Sequence, residues 1–229
     1  MSYIKFKKTK IVATLGPGCS SKTMLQRLIK AGVNVFRINF SHATYDEADR
    51  HIDLIRSLNQ ELDTNVAILA DLQGPKIRIG KMEDGVVFKK GDEFILSTTK
   101  EIIGNKTKAS LSYKDFAKDV KKGDRVLIDD GKLIFEVIST NKKDEVKLIN
   151  IQGGKLSSKK GVNLPNTKIS TPSLTKKDKK DLMYAISKEL DWIALSFVRD
   201  ANDMTNLRDL IEKESDEKIP IIAKIEKPE

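Results

Sequence analysis

Several short apolar runs in this 229-residue sequence end in side chains that can bind or react. Thr14 closes KIVAT, Arg37 and Asn39 close VFRIN ahead of Ser41 and His42, Asp71 closes VAILAD, Ser196 closes WIALS, and Lys224 and Glu226 lie in PIIAKIE. Arg37 and Asn39 are two apart, as are Lys224 and Glu226, so each pair projects from one face of an extended strand. A Lys inside an apolar run is costly to bury unless it meets an anion. Two carboxylates, Asp71 and Glu226, with two cations, Arg37 and Lys224, suit a phosphate bridged by a divalent metal. For any one strand, solvated charges or a structural salt bridge is the plainer reading. Repetition of the same ending on every apolar run favours a shared site. His42, at a strand-to-helix turn, reads equally as a base, a polar lining residue or a cap.

The elements that must carry these residues follow an α/β grammar. VAILADLQGPKIRIG is the hub: Val66–Ala70 has the length and composition of a strand buried on both faces. It delivers Asp71, then the Gly74-Pro75 turn, then Lys76 and Arg78. Before it, Lys10–Leu15 reads as a buried strand, Ser20-Ser21 as the cap of a helix with apolar Met24, Leu25, Leu28 and Ile29, and Gly32 as that helix's C-terminal stop. Val33–Phe40 is a second strand, and 46–61 an amphipathic helix with Ala48, Ile52, Ile55 and Leu58 on its buried side. Strand–helix–strand units of this size make a parallel sheet or barrel. Residues 16–23, GPGCSSKT, resemble a phosphate-binding P-loop, but Ser21 stands where glycine is needed before the Lys and Pro17 removes an amide donor. That reading is rejected.

From Lys81 to Leu164 short strands take over: 86–88, 93–96, 126–128, 133–138 and 146–151. Asp129-Asp130-Gly131-Lys132, Asn141-Lys142-Lys143-Asp144 and Gly153-Gly154 read as hairpin connections between them. Two adjacent acids at Asp129 hint at a metal, but a hairpin turn is the better reading. The segment is an inserted all-β domain whose basic exit, 157–165, suits a hinged lid. The α/β pattern resumes with a helix started by Thr175 and Asp178, a strand at 192–197, a helix over Met204, Leu207, Leu210 and Ile211, and a fifth strand at 220–226 that carries Lys224 and Glu226.

Composition narrows the function classes. A chain 39% hydrophobic and 33% charged is globular in type, and no apolar run approaches the roughly 18–20 residues that span a bilayer. The net charge of +9 would suit nucleic acid or another anion. The 33 acids are interspersed with the cations, however, and the aromatics do not alternate with basic residues as in strand-stacking surfaces; no nucleic-acid or membrane partner is expected. Cys19 is the single cysteine, which excludes an internal disulfide and fits a reducing cytoplasm.

Taken together, KIVATLGP, VFRINFSH, ILADLQGPKIRIG, KKGVNLP, LSFVR and IIAKIE, in this order, resemble the pyruvate kinase family. The resemblance implies a (β/α)8 TIM barrel with a β-domain lid inserted after the third strand: barrel 1–78, lid 79–165, barrel again 166–229. It implies phosphoryl transfer from phosphoenolpyruvate to ADP, giving pyruvate and ATP at the end of glycolysis, with Mg²⁺ or Mn²⁺. By motif, Arg37, Lys224 and Ser196 would meet the substrate, with Lys224 stabilising the phosphoryl group in flight. Glu226 would be one metal carboxylate, and Arg78 and Lys160 would meet the nucleotide phosphates, with Pro17, Asn39 and His42 nearby. Many members hold K⁺ near Asn39, Ser41, Asp71 and the Leu72 carbonyl. This sequence, with Leu72, Gln73, Lys76 and Ile79, resembles the K⁺-independent group, in which the Lys76 ammonium would replace that ion.

Five of eight barrel strands are present, so a truncated form, inactive by itself, is expected. The family continues with three more strands and a regulatory domain and is usually a homotetramer. A non-catalytic phosphate-binding fragment is the alternative, and a nucleic-acid module on the β-domain a third reading.

Overall fold

The computed structural model describes residues 8–226. They divide into two units, one formed by the residues up to Gly74 with those from Ser173 onward, the other by Pro75–Pro172.

The first unit opens with β1 (Val12–Thr14) and a 3-10 turn at Pro17–Cys19, where Pro17 occupies the first helical position. Then α1 (Lys22–Ala31) starts on Ser21, whose hydroxyl accepts the Met24 amide, and stops at Gly32 with φ of 101°, a left-handed cap that suits glycine. Next come β2 (Val35–Asn39), α2 (Tyr45–Leu62) and β3 (Ala67–Asp71). Thr44 and Glu47 close a reciprocal capping box at the start of α2.

In the second unit, β4 (Val87–Phe88), β5 (Glu93–Ser97), β6 (Lys108–Ser110), α3 (Phe116–Asp119), β7 (Arg125–Ile128), β8 (Leu133–Thr140), β9 (Glu145–Gln152), β10 (Gly154–Lys155) and β11 (Val162–Asn163) follow one another. They form a six-stranded sheet in the order β11-β7-β8-β9-β5-β6 and a two-stranded β10-β4 ribbon. Phe88, Phe94 and Phe135 meet at its centre, with ring centroids 4.8–5.5 Å apart. Asp129, Asp130 and Gly131 turn β7 into β8 with φ of 54°, 55° and 85°, a left-handed run that Asp and Gly tolerate best. The expected Gly153-Gly154 hairpin is not one. There the chain leaves β9 and pairs with β4, and a Cβ on Gly153 would lie 2.2 Å from the Phe88 carbonyl oxygen. β6, β10 and β11 escaped the sequence reading because two or three residues show no alternation.

The chain returns to the first unit with α4 (Lys176–Ser187), β12 (Trp192–Leu195), α5 (Ala201–Glu214) and β13 (Ile221–Ala223). Its sheet is parallel throughout, with strands in chain order, β1-β2-β3-β12-β13. Phe36, Ile38, Ile68, Ala70, Ile193 and Leu195 share one buried core with Leu25, Ile29, Ile52, Ile55, Leu182, Leu207 and Ile211 of the helices. Strand alternation therefore turns Arg37, Asn39, Asp71 and Ser196 to the other face. Two expectations are corrected. β1 is not buried: Val12 is 51% exposed, because the strand pairs only with β2 among the described residues. The fifth strand ends at Ala223, so Lys224 and Glu226 lie just beyond it. Among the described residues no helix is long and apolar enough to cross a membrane.

Candidate functional site

Parallel register aligns the strand ends. Thr14 stands beside Arg37, Arg37 beside Leu69, Asn39 beside Asp71, Asp71 beside Ala194, and Leu195 beside Ala223. The polar side chains at these ends converge on Asp71, which is only 2% exposed.

Arg37 donates from Nε to Asp71 Oδ2 at 2.7 Å and from a terminal nitrogen to the same oxygen, while its other terminal nitrogen reaches Thr14 Oγ1 at 2.8 Å. From the opposite side Lys224 Nζ donates to Asp71 Oδ1 and Oδ2 at 3.0 and 3.1 Å and to Ser196 Oγ at 2.8 Å. Ser196 Oγ in turn donates a hydrogen bond to the Leu72 carbonyl at 2.7 Å. One buried carboxylate is thus matched by two charge-assisted donors. The cations are less enclosed than the acid, with side chains 29% (Arg37) and 28% (Lys224) exposed. They can therefore turn part of their hydrogen-bonding capacity toward an anion from solvent.

Glu226 completes the rim. Its Oε2 accepts the Phe197 amide at 3.1 Å, and its Oε1 stands 3.4 Å from Lys224 Nζ. Behind the β3 tip, Gly74 turns with φ of 67°, and its amide donates to Asp178 Oδ1 at 3.0 Å. Asp178 also closes the capping box of α4, so one fully buried carboxylate ties that helix start to the turn after the hub strand.

Beside this cluster a cavity of about 790 Å³ gathers Thr14, Pro17, Asn39 and His42 with Glu47, Arg50, His51 and Leu54. The last four recur at helical spacing, so one stripe of α2 forms a wall. Sequence reasoning missed that wall because it followed only the neighbouring stripe of Ala48, Ile52, Ile55 and Leu58. A polar stripe of the same period alongside the apolar one was the available signal. Both histidines of the chain line the cavity. Burial lowers the His51 imidazole below its usual value and favours the neutral ring. The bonds from the Thr44 amide and hydroxyl hold the Glu47 carboxyl below its usual value.

Arg78, Lys160 and Lys76 belong to the second unit. Arg78 and Lys160 are brought together there: the Ile79 amide donates to the Lys160 carbonyl, and the Arg78 guanidinium donates to the Lys159 carbonyl at 2.9 Å. Lys160 pairs with Asp129 at 3.0 Å, an ionic use of the turn acid that its hairpin reading did not foresee. Of the residues named for a monovalent ion, Asn39 Oδ1 accepts the Ser41 amide, and Asp71 and the Leu72 carbonyl accept the bonds described above. Among the described residues no three His, Cys, Asp or Glu side chains stand close enough to hold a metal ion. Glu226 alone does not make a divalent-metal site.

The family profile for the pyruvate kinase barrel domain matches residues 6–229. Pyruvate kinase of Staphylococcus haemolyticus is 42% identical over 225 residues, covering 97% of this chain and 38% of its own length. Pyruvate kinase 2 of Synechocystis is 44% identical over 228 residues with the same coverage, and the Corynebacterium glutamicum pyruvate kinase is 40% identical over 223 residues, 46% of its length. A crystal structure of a pyruvate kinase from Cryptosporidium parvum superimposes with a TM-score of 0.89 at 32% identity, over 96% of this chain and 46% of that one. The chain thus spans less than half the length of these relatives.

Proposed function

This chain belongs to the pyruvate kinase family, and from that premise we propose that it serves the transfer of a phosphoryl group from phosphoenolpyruvate to ADP, giving pyruvate and ATP. The observation that carries this reading is the meeting of Arg37 and Lys224 over Asp71 at the strand ends.

In the proposed mechanism Asp71 holds both cations in place before substrate arrives. The phosphoryl group then accepts from Arg37 and Lys224 on their solvent side, and little reorganisation is needed because the donors are already aimed. Ser196 orients the Lys224 ammonium, which follows the phosphoryl group toward ADP and offsets the charge on its equatorial oxygens. Pro17, Asn39, His42 and the α2 wall take the nucleotide. Glu226 offers one carboxylate to Mg²⁺ or Mn²⁺. A single carboxylate does not by itself complete a metal site. The parallel sheet is read as five strands of a (β/α)8 barrel, with 79–165 as a β-domain lid, in a cytoplasmic, homotetrameric enzyme.

The test is phosphoenolpyruvate binding by calorimetry with Mn²⁺ present. Lys224→Ala is expected to weaken it at least tenfold, roughly the loss of one charge-assisted bond. Equal binding by the variant removes Lys224 from the site and the reading with it. Phosphate affinity that survives without any phosphoryl transfer would favour a binding role on the same fold.

A further inference from the structure

Seven described residues other than glycine have positive φ, and six of them are Asp, Lys or Glu: Asp63, Asp129, Asp130, Lys142, Lys159 and Glu189. The seventh is Phe197, with φ of 56°, immediately after Ser196 at the C-terminal end of β12. A left-handed backbone at a bulky aromatic residue is an outlier that must be held by its surroundings. The surroundings here are specific. A Cβ on Gly74 would lie 2.8 Å from the Phe197 ring and 3.0 Å from the Ser196 side chain, so the bare glycine is what lets the ring seat. The conformation aims the Phe197 amide at Glu226 Oε2, 3.1 Å away.

The consequence falls on Lys224. Its ammonium donates to Asp71 and Ser196 at 2.8–3.1 Å and makes only a looser ion pair with Glu226 Oε1, at 3.4 Å. A carboxylate free to swing would close on that ammonium and compete with any incoming anion. We propose that Phe197 is a positioning residue: its left-handed backbone tethers Glu226 and holds that carboxylate in a loose pair with Lys224 instead of a tight one, so that the ammonium remains available to an anionic ligand. The anion affinity part of this inference rests on the reading of Lys224 as a phosphate-binding residue. The tether itself does not.

A double-mutant cycle with two readouts tests it. In the first, the Phe197 amide proton resonance is followed by NMR at constant pH. Glu226→Gln is expected to move it upfield, because a charged acceptor is lost; an unmoved resonance overturns the proposal. In the second, phosphoenolpyruvate affinity is measured in divalent-metal-free buffer, so that the metal role proposed for Glu226 does not enter. Phe197→Ile, whose β-branch disfavours positive φ, is expected to weaken binding by roughly tenfold. Phe197→Asn, which tolerates that backbone, should stay within about threefold of the parent. With Glu226→Gln already present, Phe197→Ile should have no further effect, since no carboxylate is left to restrain. An equal loss in both backgrounds makes Phe197 merely structural and overturns the proposal. Should Phe197→Ile not fold, the resonance and the Asn variant still decide. Should Lys224→Ala leave phosphoenolpyruvate binding intact while the resonance responds to Glu226→Gln, the phosphate reading fails and the tether stands.

Discussion

Asp71 is the residue whose removal separates electrostatics from packing. It is 2% exposed and faces Arg37 on one side and Lys224 on the other. Asp71→Ala leaves a guanidinium and an ammonium turned toward each other with no anion between them. The expected loss of stability is about 3–5 kcal/mol, the usual cost of breaking a buried pair from one side. Urea unfolding of the variant checks this, and added phosphate should restore part of the loss if the two cations bind it. At this scale much was legible in the sequence. Arg37 with Asn39 announced a polar strand face, and a Lys inside an apolar run announced a need for an anion. The sequence could not say that one carboxylate serves both cations, because Asp71 finds them through register rather than spacing. Nor could it show the backbone of Phe197, since nothing in its neighbours' types demands positive φ.

Helices and their first turns hold the site from behind. Ser173 Oγ donates to Asp203 Oδ1 at 2.6 Å and the Arg199 amide to Oδ2 at 3.0 Å, which ties the return of the chain to the first turn of α5. Burial pushes the Asp203 carboxyl up, but the Ser173 and Arg199 bonds outweigh it and leave the group below its usual value. A folded value below the unfolded one stabilises the protein above the unfolded value, about pH 4, and that contribution is lost as pH falls through the folded value. Asp203→Asn should therefore be less stable than the parent at neutral pH, with the two melting temperatures converging as pH drops below about 4. A gap that persists unchanged in acid would show that the carboxylate charge contributes nothing there. The α2 wall gives a second prediction at this scale. With the cavity assigned to the nucleotide, Arg50→Glu should weaken ADP binding by roughly tenfold, since a cation beside the ligand becomes an anion. Unchanged affinity takes α2 out of the site. The buried stripe of α2 was readable from its period, but its capping box of Thr44 and Glu47 escaped the sequence reading. The lining role of the adjacent polar stripe was not readable, because a solvated helix face has the same pattern.

For the whole molecule, the sequence announced the change from α/β to all-β grammar at Lys81 and its reversal before Thr175, and the contacts divide the chain at Gly74 and Ser173. Inside Pro75–Pro172, β6, β10 and β11 stayed hidden, since strands of two or three residues take their place from their partners rather than from their own pattern. Lys76 falls in this second unit, and it carries the proposal that an ammonium replaces K⁺. Under the proposed function, the expected outcome for a protein completed to its relatives' length is phosphoryl transfer at similar rates in Na⁺ and K⁺ media, with Lys76→Glu restoring a K⁺ requirement. A strong K⁺ dependence of the unaltered protein contradicts it. The meeting of distant strand ends over Asp71 also has a consequence in time. Arg37 precedes Asp71 by 34 residues and Lys224 follows it by 153. At roughly 5–20 residues per second, a ribosome delivers the second cation about 8–30 s after the carboxylate. Throughout that interval the nascent chain carries Asp71 with a single countercharge, and the whole second unit is synthesised before the ammonium that completes the cluster exists.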